Sequence, residues 1–190
     1  MTAEIVVRPL SPQLVEDYLA FFDGPAFADN PHWASCYCFF HHNPEPQTWA
    51  SRRADQNRAA VSDLIRRDRF HGFLAYRQEA PVGWCNAAPR REIPGLALSA
   101  DLAAEDTDVI GSIVCFIVAE AHRRSGVATA LLQAACRSFQ QAGLQIAEAY
   151  PRLGISDAAS NYHGPIDLYL GAGFQWYREF DDWAIVRRRL

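Results

Sequence analysis

Val118-Ala119-Glu120-Ala121-His122-Arg123-Arg124-Ser125-Gly126-Val127-Ala128-Thr129 joins two segments of different hydrophobic period. Before it, Val109 to Ala119 is an apolar, β-branched run of the kind a buried strand makes; after it, a helical pattern continues to about Ala142 and Gly143 closes it. A strand, a glycine turn and a helix in that order leave several backbone N–H groups without internal partners at the turn. They also place the positive end of the helix macrodipole there, and small side chains let an anion approach. The turn has one glycine and no lysine, so it is neither a P-loop nor a dinucleotide fingerprint. On these residues alone, a phosphate-bearing ligand and an ordinary strand-to-helix connection both stay open.

Outward from this unit, the chain reads as strands interleaved with helices. Glu4 to Arg8 alternates as a first strand, and Ser11-Pro12 opens a helix running to about Phe22. Asp23-Gly24-Pro25 stops it, and Phe27 to Asn43 is irregular and aromatic-rich. Thr48 to Arg67, with Trp49, Ala60, Val61, Leu64 and Ile65, fits an amphipathic helix. Phe70–Arg77 and Pro81–Ala88 form a hairpin across Gln78-Glu79, and 89–108 reads as a loop. Downstream, Gln145–Tyr150 is a strand, 151–162 a polar loop, Ile166–Leu170 a short helix, and Phe174–Phe180 with Trp183–Arg189 a closing hairpin over Asp181-Asp182. No repeat or linker interrupts the 190 residues, so the expectation is one α/β domain.

Composition narrows the function classes. The chain is 49% hydrophobic and 21% charged, which is a globular balance. A net charge of -4 gives no electrostatic footprint for nucleic acid. All 18 basic residues are arginine, which excludes Schiff-base and P-loop lysine chemistry. The longest apolar run, Ile113 to Ala119, is far below the roughly 20 residues that span a bilayer. The start, Met1 to Arg8, lacks the regions of a signal peptide, so the expected compartment is the cytoplasm, with no membrane partner. Five scattered cysteines, Cys36, Cys38, Cys85, Cys115 and Cys136, fit reduced thiols.

Residues 118–128 resemble the acetyl-CoA motif of the GNAT superfamily of N-acetyltransferases, Q/R-x-x-G-x-G/A, with Arg123, Gly126 and Ala128 at its three defined positions. Leu168-Tyr169-Leu170-Gly171-Ala172-Gly173-Phe174 resembles that family's L-Y-x-x-x-G-F element. The resemblance implies a mixed, mostly antiparallel sheet of about seven strands with helices on both faces. It also implies direct acetyl transfer from acetyl-CoA to a primary amine of a small molecule or peptide. By position, the strand backbone at Phe116, Ile117 and Val118 would pair with the pantetheine arm. The pyrophosphate would rest on Arg124, Ser125, Gly126, Val127, Ala128 and Thr129, following the motif residue Arg123. Asn161 resembles the family's pantetheine-contacting asparagine, though it stands one residue farther from Tyr169 than usual and Gly164-Pro165 interrupts the segment.

In the same reading Tyr169 is the general acid for the leaving thiolate. The family's central-strand glutamate aligns with Ser112, which would hold a relay water, and Glu148 on the next strand is an alternative base. The acceptor pocket falls on the unusual segment: Trp33, Cys36, Cys38 and His41, with Trp84 and Asn86 from the hairpin, as an aromatic slot attractive to a cation. Tyr37, Phe40 and His42 belong to the same segment, while Phe39 and Phe40 read as packing. The close cysteine and histidine spacing there does not match a zinc site, so no metal is expected. A non-catalytic acyl-CoA-binding module remains the rival reading because of Ser112, and the oligomeric state, a homodimer included, stays open.

Overall fold

The computed structural model describes residues 4–103, 107–155, 157 and 160–190. Met1 to Ala3, part of the 89–108 segment and part of the 151–162 segment therefore lie outside the described residues. Strands β1 (Val6–Pro9), β2 (Phe73–Arg77), β3 (Ala80–Pro89), β4 (Ile110–Val118), β5 (Ile146–Ala149), β6 (Gln175–Glu179) and β7 (Ala184–Arg189) form one sheet in the order β1-β2-β3-β4-β5-β7-β6. Every neighbouring pair is antiparallel except β4 and β5. The expected mixed, mostly antiparallel seven-stranded sheet is the one observed. The β2–β3 hairpin turns at Gln78 and Glu79, both with positive φ, the geometry that matches strand twist in a tight hairpin.

Helices cover both faces. On one side α1 (Val15–Asp23) and α2 (Ala54–Arg66) bury Tyr18, Phe21, Phe22, Val61 and Ile65 against Leu74, Trp84 and Val114; α3 (Pro94–Ala97) adds Leu96. On the other, α4 (Val127–Gln141) and α5 (Ile166–Gly171) bury Leu131, Leu132, Phe139 and Tyr169 against Phe73, Cys85 and Ile113. Gly111 is what lets α4 sit so close: a Cβ there would stand 2.3 Å from the Phe139 ring.

Several expected boundaries are corrected. The helix placed over Thr48–Arg67 begins only at Ala54, because Arg53 is extended and its N–H is capped by the Gln56 side chain at 2.9 Å. Pro46–Ser51 is a separate 3₁₀ turn carrying Trp49. The first strand starts at Val6, and the segment after Pro12 opens with a 3₁₀ turn before α1. The 89–108 segment is not a plain loop: it holds short turns at Arg90–Glu92, Ala100–Leu102 and Thr107–Val109 besides α3. Among the described residues no helix is long and apolar enough to cross a membrane.

Two irregularities in β4 position everything that follows. Its parallel pairing with β5 lasts four residues, Ile110↔Ile146 to Ile113↔Ala149, after which β4 runs on to Val118 without β5 beside it. Opposite β3 the register passes from Cys115↔Asn86 to Ile113↔Ala87, so Val114 is an extra, bulged residue. The bulge puts Val114 and Cys115 on the same face, toward α1, while Ile113 and Phe116 face α4.

Candidate active site

The turn before α4 is built on two left-handed residues. Arg124 and Gly126 have φ of 56° and 89°, and only the glycine holds that conformation at no steric cost. The first intrahelical bond runs from Ala130 N–H to Gly126 C=O, so Val127, Ala128 and Thr129 present N–H groups that the helix does not use. No acidic side chain stands in the first turn and no side chain caps it. Arg124 is exposed and makes no ion pair among the described residues. Arg77 braces the turn, donating to the Ser125 carbonyl at 3.0 Å and hydroxyl at 3.1 Å, and that hydroxyl donates to His122 C=O. Ser125 therefore offers backbone rather than a hydroxyl.

Arg123 does something other than meet a phosphate. Its Nε donates to the Val118 carbonyl at 3.0 Å, and its two terminal nitrogens clasp Asp29 at 2.5 and 2.9 Å. The guanidinium holds the Asp29 carboxyl below the usual carboxylate range. Arg123 is thus a strut between the end of β4 and the 27–33 segment.

Beyond the end of β5, the segment 161–164 lies against β4. Phe116 N–H donates to Tyr162 C=O at 2.6 Å, and His163 Nδ1 is 3.0 Å from the Val114 carbonyl. The β4 backbone, expected to be open at Phe116 and Val118, is therefore engaged at both, by Tyr162 and by Arg123. Tyr169 lies fully buried beneath the segment and its hydroxyl donates to His163 C=O at 2.5 Å. Burial pushes this phenol well above its ordinary range, so it keeps its proton. Next to Tyr162, the Asn161 side-chain oxygen is buried and has no hydrogen-bond partner among the described residues.

A cavity of about 260 Å³ opens on the other face of β4 beyond its pairing with β5. Cys115, Phe116, Ile117 and Val118 contribute to its floor, and Trp33, Cys36, Cys38 and His41 stand in its wall. Phe27, Asp29, Phe40, Trp49 and Tyr162 also line it. Of these, Phe40 reads in the sequence as packing but is half exposed here, its ring 5.1 Å from that of Trp49. Trp33 and Tyr162 rings, also 5.1 Å apart, link the wall to the 161–164 segment.

Two expected acceptor residues do not line the cavity. Trp84 is fully buried in the core, its ring packed on those of Tyr18 and Phe70. Asn86 is equally buried behind the wall, with its amide nitrogen 3.3 Å from the Cys38 sulfur and 3.1 Å from His42 Nε2. Both sit on β3, which has α1 on one face and α4 on the other, so its side chains face packed layers.

The expected bases are corrected too. Ser112 Oγ lies 2.9 Å from the Tyr150 hydroxyl, inside the sheet where β5 is still paired. Tyr150 donates to Glu148, and the same carboxylate is bound by Arg90 and by Arg187 at 2.6 Å. Neither Ser112 nor Glu148 lines the cavity. Both Glu148 oxygens are occupied, which leaves no route from this carboxylate to an amine in the pocket. Among the described residues no cluster of histidine, cysteine and carboxylate is able to hold a metal ion.

The histidines add a pH dependence. Burial holds His42 down to about 4, and His41 and His163 are held down to about 3 and about 4 by the same cause. The unfolded chain takes up these protons near 6.5, so between that value and the folded ones it binds more protons than the native state. Stability is complete above pH 6.5 and is lost as pH falls toward 4. Denaturant melts near pH 5 should show about 2 kcal/mol less stability than at neutral pH from His42 alone. Equal stability at the two would contradict the buried, neutral assignment.

Comparison with known proteins adds three findings. The profile of the family described as "Acetyltransferase (GNAT) family" matches residues 26–164. Solved structures share the fold across nearly the whole chain. An acetyltransferase of the GNAT family from Streptococcus pneumoniae is 12% identical with TM-score 0.58, covering 98% of this chain and 100% of that one. The GNAT domain of S. lividans PAT is 17% identical with TM-score 0.61, covering 97% and 89%. PaiA N-acetyltransferase from Thermoplasma acidophilum, solved in complex with coenzyme A, is 12% identical with TM-score 0.60, covering 98% and 99%. No curated protein matches the chain.

Proposed function

Since this chain belongs to the GNAT acetyltransferase family, we propose that it moves the acetyl group of acetyl-CoA onto a primary amine of a small molecule or peptide, and that residues 1–190 act as one such domain. The observation that carries this reading is that the part of β4 beyond its pairing with β5 borders both the aromatic cavity and, through Arg123, the turn before α4. Three features fit coenzyme A. The N–H groups of Val127 to Thr129 with exposed Arg124 suit a pyrophosphate, the Gly126 turn lets it approach, and the unpartnered Asn161 oxygen suits an amide donor of the arm.

Acetyl-CoA supplies the acyl carbon as a thioester. The chain's own residues then do three things. Phe116 N–H and the Tyr169 hydroxyl, both bonded to the 162–163 carbonyls, become available when that segment yields. Tyr169 holds a proton for the departing sulfur. Phe27, Trp33, Phe40 and Trp49 enclose the amine, with cation–π attraction of roughly 0.5 to 2 kcal/mol per well-placed ring.

A second reading has a specific observation in its favour. Asp29, the one carboxylate among the described cavity residues, is spent on Arg123, as a non-catalytic acyl-CoA-binding module would tolerate. A panel of primary amines, with coenzyme A thiol release as the readout, separates the two. Amine-dependent release supports the transferase; binding of acetyl-CoA without such release supports the module.

A further inference from the structure

Resting on the transferase reading, we propose that the acceptor is a compact primary amine with an aromatic or apolar body and no second charge, and that the Arg123–Asp29 pair sets this selectivity. Among the described residues that line the cavity there is one carboxylate, Asp29, and one guanidinium, Arg123. They hold each other at 2.5 and 2.9 Å, and Arg123 Nε is engaged by the Val118 carbonyl at 3.0 Å. Their side chains are 22% and 26% exposed. A second ammonium on the acceptor therefore meets a carboxylate already neutralised, and a carboxylate on it meets a guanidinium already filled. Taking either charge out of water without a free counter-charge is costly.

What the cavity offers instead is ring surface. Phe40 and Trp49 meet edge to face at 5.1 Å, and Trp33 and Tyr162 form a second pair at the same separation. Trp33 and Phe40 are 38% and 51% exposed, so large apolar faces are left for an occupant to cover. Planar apolar groups stack on such rings or meet them at an edge, and the ring faces also receive a single ammonium. The volume of about 260 Å³ lies just below the roughly 300 to 1,000 Å³ of drug-sized ligand sites, which suits a body of one or two rings.

His41 adds polarity without charge. It lines the cavity with its ring edge to face with Phe40, and neither of its ring nitrogens makes a hydrogen bond among the described residues. Its neighbours differ: His42 is bonded to Asn86, and His163 lies 3.0 Å from the Val114 carbonyl. Burial holds His41 down to about 3, so at neutral pH its imidazole is uncharged and keeps one lone pair able to accept a hydrogen bond from the amine.

The test is kcat/KM, read as coenzyme A thiol release, for matched amines that differ by one charge. Phenethylamine is set against phenylalanine, which adds a carboxylate, and benzylamine against para-xylylenediamine, which adds an ammonium. The singly charged member of each pair should be better by tenfold or more. In Arg123→Gln, which leaves Asp29 without its partner, the benzylamine-to-diamine ratio should shift tenfold or more toward the diamine, and adding Asp29→Asn should return it. Each ratio is taken within one protein, so a general loss of activity leaves it unchanged, and the wild-type ratios decide the substrate class without the variants. Phenylalanine or the diamine as good as its partner overturns the class and leaves the transferase reading standing. A ratio unmoved in Arg123→Gln overturns the role assigned to the pair. Release with none of the four, in protein that binds acetyl-CoA by calorimetry, also overturns the class; release with no amine of the wider panel overturns the transferase reading with it.

Discussion

Tyr169→Phe should lower turnover by on the order of 10²- to 10⁴-fold, the usual worth of a positioned general acid, while leaving acetyl-CoA affinity within a few-fold of wild type. The variant removes one oxygen from a fully buried ring that packs on Phe174 and near Phe116. Among the described residues, the one hydrogen bond it loses is to the His163 carbonyl. That bond is what makes the prediction specific. The Tyr169 hydroxyl and the Phe116 N–H grip adjacent carbonyls of one segment, so the variant should loosen 161–164 and not weaken its displacement. Steady-state kinetics over acetyl-CoA concentration give both numbers. Full turnover in a folded Tyr169→Phe protein would remove Tyr169 from the chemistry.

Glu148→Leu is expected to be the most damaging single change to the fold itself. Glu148 is 1% exposed and holds the guanidinium of Arg90, which is 4% exposed, on one oxygen and that of Arg187 on the other. Removing the carboxylate leaves Arg90 buried with only neutral partners, at a cost of about 3 to 5 kcal/mol. The loss should read as a melting temperature lower by about 10 °C or more. The double change Arg90→Met with Glu148→Leu should recover most of that, because a buried ion pair exchanged for apolar side chains is often close to neutral. A double variant as unstable as the single one would contradict the account. The site feels this network through β5, whose pairing with β4 stops at Ala149, one residue past Glu148.

What the sequence made legible was local. The β4–turn–α4 unit is readable because hydrophobic period changes across one glycine, and the β2–β3 hairpin because two polar residues separate two apolar runs. The 3₁₀ turns of 25–51 escape such reading: their path is set by Tyr37 and Cys38 in left-handed conformations that neither residue type advertises. Long-range pairs escape it for another reason. Arg123 looks like a phosphate ligand until Asp29, 94 positions away, is seen to hold it, and Glu148 looks like a free base until Arg90 and Arg187 are placed on it. The 161–164 segment leaves no periodic signal, since its bonds to β4 depend on where β5 ends. Trp84 and Asn86 could have been read as interior, because β3 carries Val82 to Ala88 with scarcely a polar residue, the mark of a strand covered on both faces.

The most direct measurement is a calorimetric titration of acetyl-CoA into the wild-type protein and into Gly126→Val. A Cβ at position 126 would displace no neighbour, the nearest being Ile5 Cδ1 at 3.8 Å; its cost falls on the left-handed φ of 89° and on the approach of a phosphate. Micromolar binding to the wild type, weakened tenfold or more (about 1.4 kcal/mol) in a folded Gly126→Val protein, is the predicted result. Absence of binding to the wild type, or equal affinity in the two, would contradict a coenzyme A site at the start of α4.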